Sequence, residues 1–141
     1  LTRNESVVLQ PFVPMAKPRD LRVLIIGGEA RAACWRIAAE GEFRTNVHLG
    51  ARTVAATIDG PVRELAERAA AAIGLSHAGV DLLETPTGFV VLEVNGSPGL
   101  EGIEAATGRD LATEVIDDAI ERYNAPLQAT SSRGPRSAPS R

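Results

Sequence analysis

Residues 78–102 read AGVDLLETPTGFVVLEVNGSPGLEG, from Ala78 to Gly102, and this stretch decides the fold. Two runs rich in aliphatic and β-branched residues, Ala78 to Glu84 and Phe89 to Asn95, flank Pro86-Thr87-Gly88, which is hairpin composition. A three-residue loop would put Pro86 at the first turn position and Gly88 at the left-handed bulge position. That register sets Thr85 opposite Phe89, Leu83 opposite Val91 and Asp81 opposite Glu93. Directly opposed residues of an antiparallel pair share a face, with Cβ atoms about 5 Å apart. Asn95, two residues beyond Glu93, falls on the same face. The other face collects Val80, Leu82, Val90, Leu92 and Val94, an apolar stripe for the core.

Two carboxylates and an amide oxygen thus converge on one side of a hairpin whose other side is buried. Facing like charges are destabilising unless a cation sits between them. Magnesium suits the set, because it takes hard oxygen ligands from a few carboxylates and fills its shell with water and phosphate. The alternative at this point is a solvent-facing acidic hairpin in which Asp81 and Glu93 keep an edge soluble. Gly96-Ser97-Pro98-Gly99 then follows, a loop that is either an ordinary turn or brings backbone N–H groups close to an anion.

Working outward, Leu21 to Ile26 is an apolar strand, Gly27-Gly28 offers the positive φ angles of a tight hairpin, and Ala30 to Ile37 returns beside it. Val7 to Val13 reads as a strand ended by Pro14, residues 38–50 as a long polar loop, and Thr53 to Ile58 as a short strand. Asp59-Gly60-Pro61 resembles a helix start. Val62, Leu65, Ala66, Ala69 and Ile73 recur on one helical face, with Gly74 as the left-handed cap. Leu111, Val115, Ala119, Ile120 and Tyr123 mark a final helix. The expectation is an α+β fold, an antiparallel sheet with two main helices packed on one face.

The chain has 141 residues, 44% of them hydrophobic, which is one domain's worth and enough for a core. Fifteen basic against 18 acidic residues give a net charge of −3 and no electrostatic footprint for nucleic acid. The single cysteine, Cys34, excludes a disulfide framework and reads as a packing residue. No apolar run approaches the ~20 residues of a membrane span. Leu1 in place of Met, with no signal-peptide pattern after it, suggests a piece of a longer, cytoplasmic protein. Residues 125–141, APLQATSSRGPRSAPSR, contain no acid and read as a disordered Ser/Pro/Arg tail, or more sharply as a weak phosphate contact. Removing its three arginines leaves 12 basic and 18 acidic residues in 1–124, a net −6.

GVDLL followed by LEVNGSPGLEGIEAATGRDLA closely resembles the C-terminal lobe of RimK-type ATP-grasp ligases, which attach glutamate to the C-terminus of ribosomal protein S6. DLRVLIIGG at 20–28 and AACWRIAAEGEFRTNVHLG at 32–50 are similar to the middle segment of that family. Val8 to Val13 sits where it has the adenine-holding hinge strand. The resemblance covers roughly residues 7–124 of an expected partial ATP-grasp domain at 1–124. The Ser97-to-Glu104 string is more specific to this group than to the lysine-biosynthesis branch. The family's lid lobe, with its phosphate-binding lysine, would lie before residue 1.

The resemblance implies ATP, glutamate and a protein or peptide C-terminus as substrates, two Mg²⁺ or Mn²⁺ ions as cofactors, no nucleic-acid or membrane partner, and a homo-oligomer, a tetramer, for the full-length protein. It implies metal ligation by Asp81, Glu93 and Asn95, with Glu93 bridging both ions. Pro11, Phe12 and Val13 would hold adenine, Asp20 the ribose, and Arg44, Thr45 and Asn46 the phosphates. Arg36 joins Arg44 as a cation facing the transferred phosphate, and Ser97 and Gly99 belong to an acceptor loop. Pro11 departs from the family's usual acidic residue but keeps its carbonyl, while Val13 keeps its N–H. Ala39 and Ala51 replace a frequent lysine and a glycine. His48 stands where the family also has histidine. Two other readings remain: a non-catalytic nucleotide- or peptide-binding module, and an ATP-grasp ligase of amino-acid or cofactor biosynthesis.

Overall fold

A computed structural model describes Val13 and residues 18–39 and 52–125. The described chain forms β1 (Arg19–Ile26), β2 (Glu29–Ile37), β3 (Arg52–Ala55), α1 (Gly60–Ala72), β4 (Ala78–Thr85), β5 (Gly88–Asn95), α2 (Glu101–Thr107) and α3 (Leu111–Asn124). The strands make one sheet in the order β3-β2-β1-β4-β5, every neighbour antiparallel. The α+β class and the antiparallel sheet stand as the sequence led one to expect. The strand expected at Val7 to Val13, the greater part of the loop at 38–50 and nearly all of the tail at 125–141 lie outside the described residues; Val13 itself is half-buried and in no regular element.

β1 and β2 join through Gly27 and Gly28 at φ +68° and +87°, the two consecutive positive angles of a tight hairpin. A register shift between Leu24 and Ile25 leaves Arg31 as the extra residue of β2. It explains why Ala30 and Ala33 face one side of the sheet while Ala32 and Cys34 face the other. Residues of β1 alternate strictly. Leu21, Val23 and Ile25 enter the core under α1, and Leu24 and Ile26 enter the core under α2 and α3.

The helices therefore divide between the two faces instead of sharing one. β1 and β2 are interior strands that send apolar residues to both sides, so each face needs a cover. α1 starts at Asp59, whose side chain accepts from the Val62 N–H at 2.8 Å, and ends at Gly74 with φ +76°. Val62, Ala66 and Ala70 are buried against the sheet, but Ile73, expected on that face, sits at the C-cap and is exposed. α2 escaped the sequence reading because seven residues are too short to show a period. Glu104 of α2 caps α3, accepting from the N–H groups of Leu111 and Ala112 at 2.9 Å each. Leu111 and Val115 anchor α3, while Ile120 and Tyr123, expected in its core stripe, are exposed.

The β4–β5 hairpin corrects one expectation and keeps the consequence drawn from it. Its turn is two residues, Pro86-Thr87, so Thr85 pairs with Gly88, Glu84 with Phe89 and Leu83 with Val90. A bulge between Asp81 and Leu82 then absorbs one residue of β5, and from there Asp81 faces Glu93 and Gly79 faces Asn95. Near the turn the one-residue slip turns Phe89 inward, where its ring lies 6.1 Å from that of Trp35, and leaves Val90 exposed.

Candidate metal and nucleotide site

The polar centre of the sheet is built by strand alternation. Asp20 and Arg22 of β1 point to the same side, and their neighbours across the ladders are Arg36 on β2 and Asp81 on β4. Asp20, Arg36 and Asp81 are 1%, 8% and 2% exposed. Arg36 Nε and Nη2 donate to the two oxygens of Asp20 at 2.7 Å, and Nη2 also donates to Asp81 Oδ2 at 2.7 Å. Arg22 grips Asp81 with a fork, Nε to Oδ1 and Nη2 to Oδ2, both at 2.8 Å. Burial works against the charge on Arg36, but its hydrogen bonds and the charges of Asp20 and Asp81 outweigh that and raise its pKa above the arginine range.

Glu93 stands directly opposite Asp81, and Asn95 is on the same face one ladder step away. Glu93 is exposed and, among the described residues, has no ion-pair partner. Asn95 Oδ1 accepts from the Ser97 N–H at 2.8 Å, which starts the loop at 96–99. That loop folds back over β4. Pro98 is buried above Gly79, so close that a Cβ there would lie 2.8 Å from the proline Cβ. Among the described residues no three His, Cys, Asp or Glu side chains cluster tightly enough to hold a metal by themselves. The donor set that fits a hard cation is two carboxylates and an amide, Asp81, Glu93 and Asn95.

Cys34 lies across the ladder from Arg22 and is buried. Burial pushes its thiol up to about 11 despite the nearby Arg36 and Arg22, so it is a packing group, as expected. Ser97 and Gly99 are exposed on the loop. Pro11, Phe12, Arg44, Thr45, Asn46 and His48 lie outside the described residues. Sequence reasoning missed Arg22. The signal was its i+2 spacing from Asp20, but reading it requires knowing that β4, as well as β2, flanks β1.

The five-stranded antiparallel sheet with helices on both faces is a fold shared with ATP-grasp ligases. The chain belongs to the RimK-like ATP-grasp domain family, whose model matches residues 2–119. It is 44% identical over 131 residues to a probable alpha-L-glutamate ligase of Syntrophotalea carbinolica, covering 93% of this chain and 43% of that one. A relative of the same description from Aliivibrio salmonicida is 46% identical over 129 residues, 92% of this chain and 42% of that protein. The chain thus spans less than half the length of these relatives. Among solved structures it is similar to the ATP-grasp ligase PsnB complexed with a phosphomimetic precursor variant, Mg and ADP, with a TM-score of 0.62 and 25% identity over 79% of this chain and 34% of that chain. The macrocyclase MdnB of Microcystis aeruginosa, 19% identical with a TM-score of 0.54 over 72% of this chain and 30% of that one, shares the fold.

Proposed function

We propose that the chain is the C-terminal lobe of an ATP-dependent carboxylate–amine ligase that joins glutamate to the C-terminal carboxylate of a protein or peptide, with a ribosomal protein S6-like C-terminus as the acceptor type. The observation that carries this reading is the register that sets Asp81 against Glu93 with Asn95 beside them. The names of the relatives, probable alpha-L-glutamate ligases, support the amino acid.

A carboxylate is a poor electrophile, so one of its oxygens first takes the terminal phosphoryl group of ATP and ADP leaves. The glutamate amine then bonds to the carbonyl carbon as the bond to phosphate breaks and the amine sheds a proton. Both steps gather charge on phosphoryl and carbonyl oxygens, where fixed cations act most strongly in a water-poor site. Asp81, Glu93 and Asn95 would hold two Mg²⁺ or Mn²⁺ ions, which when bound neutralise phosphate charge. Arg36, tied between Asp20 and Asp81, would act as a fixed cation beside the phosphates, and Arg44, Thr45 and Asn46 would complete the phosphate contacts. Pro11, Phe12 and Val13 would receive adenine. Asp20 would reach the ribose only by sharing its carboxylate with Arg36. The N–H groups of the loop bearing Ser97 and Gly99 would face the acceptor.

The test is a chimaera in which this chain replaces the matching C-terminal part of the Syntrophotalea carbinolica relative. Incubated with ATP, Mg²⁺, labelled glutamate and a peptide ending in glutamate, it should release ADP and label the peptide. A folded chimaera that binds ATP but transfers no glutamate to any C-terminal peptide would refute the ligase reading in favour of a binding module.

A further inference from the structure

The proposed ligand set says nothing about Arg22, yet Arg22 is the residue that grips Asp81 with two hydrogen bonds. A carboxylate offers about four lone-pair positions. Three of those on Asp81 are taken: one on Oδ1 by Arg22 Nε, and two on Oδ2 by Arg22 Nη2 and Arg36 Nη2. The position that remains is on Oδ1. The guanidinium is itself enclosed, with the Arg22 side chain only 14% exposed.

We infer that Arg22 is a positioning residue: its fork fixes the plane of the Asp81 carboxylate so that a divalent cation meets it through Oδ1 alone, and the Arg22–Asp81 bonds persist when the cation is bound. This rests on the assignment of Asp81 as a metal ligand. Its physical logic is that of outer-shell groups that orient a ligand and whose loss weakens metal binding by about 10–100-fold. The sign of the effect separates it from simple electrostatics. A positive charge this close to a ligand opposes a cation, so if charge alone mattered, deleting Arg22 would tighten binding.

The experiment measures Mn²⁺ affinity in the presence of ADP by electron paramagnetic resonance, with circular dichroism confirming the fold of each variant. Arg22→Lys, which keeps the charge and loses the fork, and Arg22→Gln, which loses both, should each weaken Mn²⁺ binding about 10–100-fold. In an Asp81→Asn background neither should have further effect. Tighter or unchanged binding in Arg22→Gln overturns the positioning role. Wild-type Mn²⁺ binding that is absent, or indifferent to Asp81→Asn, instead overturns the metal-site assignment beneath it. Should the variants unfold, the wild type decides: the Arg22 Nε–H resonance should stay protected from exchange when Mg²⁺ and ADP are added, and loss of that protection refutes the inference.

Discussion

Gly79→Ala is expected to destabilise the chain, although the same change in most strands would help. Gly79 lies in β4 with extended backbone, and replacing such a glycine by alanine ordinarily gains about 0.5–1 kcal/mol through reduced unfolded-state freedom. Here the new Cβ would sit 2.8 Å from Pro98 Cβ and 3.6 Å from its Cγ, where carbon contacts are optimal at about 3.5–4.0 Å. Neither partner is a flexible chain end. Pro98 is a buried ring on a short loop, and β4 is a central strand, so the loop must lift by most of an ångström. Overpacking costs about 1–3 kcal/mol, and with neither partner able to yield the cost here is about 2–2.5 kcal/mol, which against the gain leaves a net loss of about 1–2 kcal/mol. For a body of this size that is a fall in melting temperature of roughly 4–15 °C. Urea unfolding beside Glu64→Ala supplies the control, because Glu64 and its partner Arg68 are both exposed on α1 and that variant should stay within about 0.5 kcal/mol of the wild type. The amide of Ser97, which donates to Asn95, should shift in the Gly79 variant only. A Gly79→Ala chain as stable as the wild type would refute the claim that the loop is seated on β4.

Three further outcomes follow from the buried network and the helix caps. Arg36→Leu strips three charge-assisted hydrogen bonds from two buried aspartates and should cost about 3–5 kcal/mol in urea unfolding; a loss below about 1 kcal/mol would contradict the packing of the network. Cys34 should resist thiol reagents in the native chain at pH 8. Because its folded pKa of about 11 lies above the unfolded value of 9.0, its stabilising contribution is complete below pH 9 and lost as pH rises toward 11, a decline that Cys34→Ala should remove. Asp110, whose carboxylate is held below 3.8 by the Thr113 hydroxyl and N–H, contributes to α3 above pH 3.8 and loses that contribution as pH falls through its lowered value. In Asp110→Asn, amide exchange at Thr113 should lose this acid sensitivity.

What the sequence disclosed, and what it withheld, follows the range of the forces involved. The Gly27-Gly28 hairpin, the Asp59 cap and the Gly74 stop are local, and each was readable from the residues that make it. The Asp81–Glu93 pairing was legible by a fortunate cancellation. The turn is one residue shorter than Pro86-Thr87-Gly88 suggested, and the bulge beside Asp81 restores the register where the carboxylates stand. Placement of helices on opposite faces was not legible, because it depends on β1 and β2 being interior strands that feed apolar residues to both sides. Arg22 was invisible for the same reason: its partner lies 59 residues away on a strand whose neighbour only the fold defines. The exposure of Ile120 and Tyr123 shows the limit of periodicity, which marks an apolar stripe without saying what covers it.

Whether Asp81, Glu93 and Asn95 form a cation-dependent nucleotide site is tested most directly by calorimetry. Mg²⁺ with a non-hydrolysable ATP analogue is titrated into the chain and into a folded Asp81→Ala/Glu93→Ala double variant. Binding by the wild type should require Mg²⁺ and disappear in the double variant. Equal binding by the two proteins, or none by a folded wild type, would contradict the assignment.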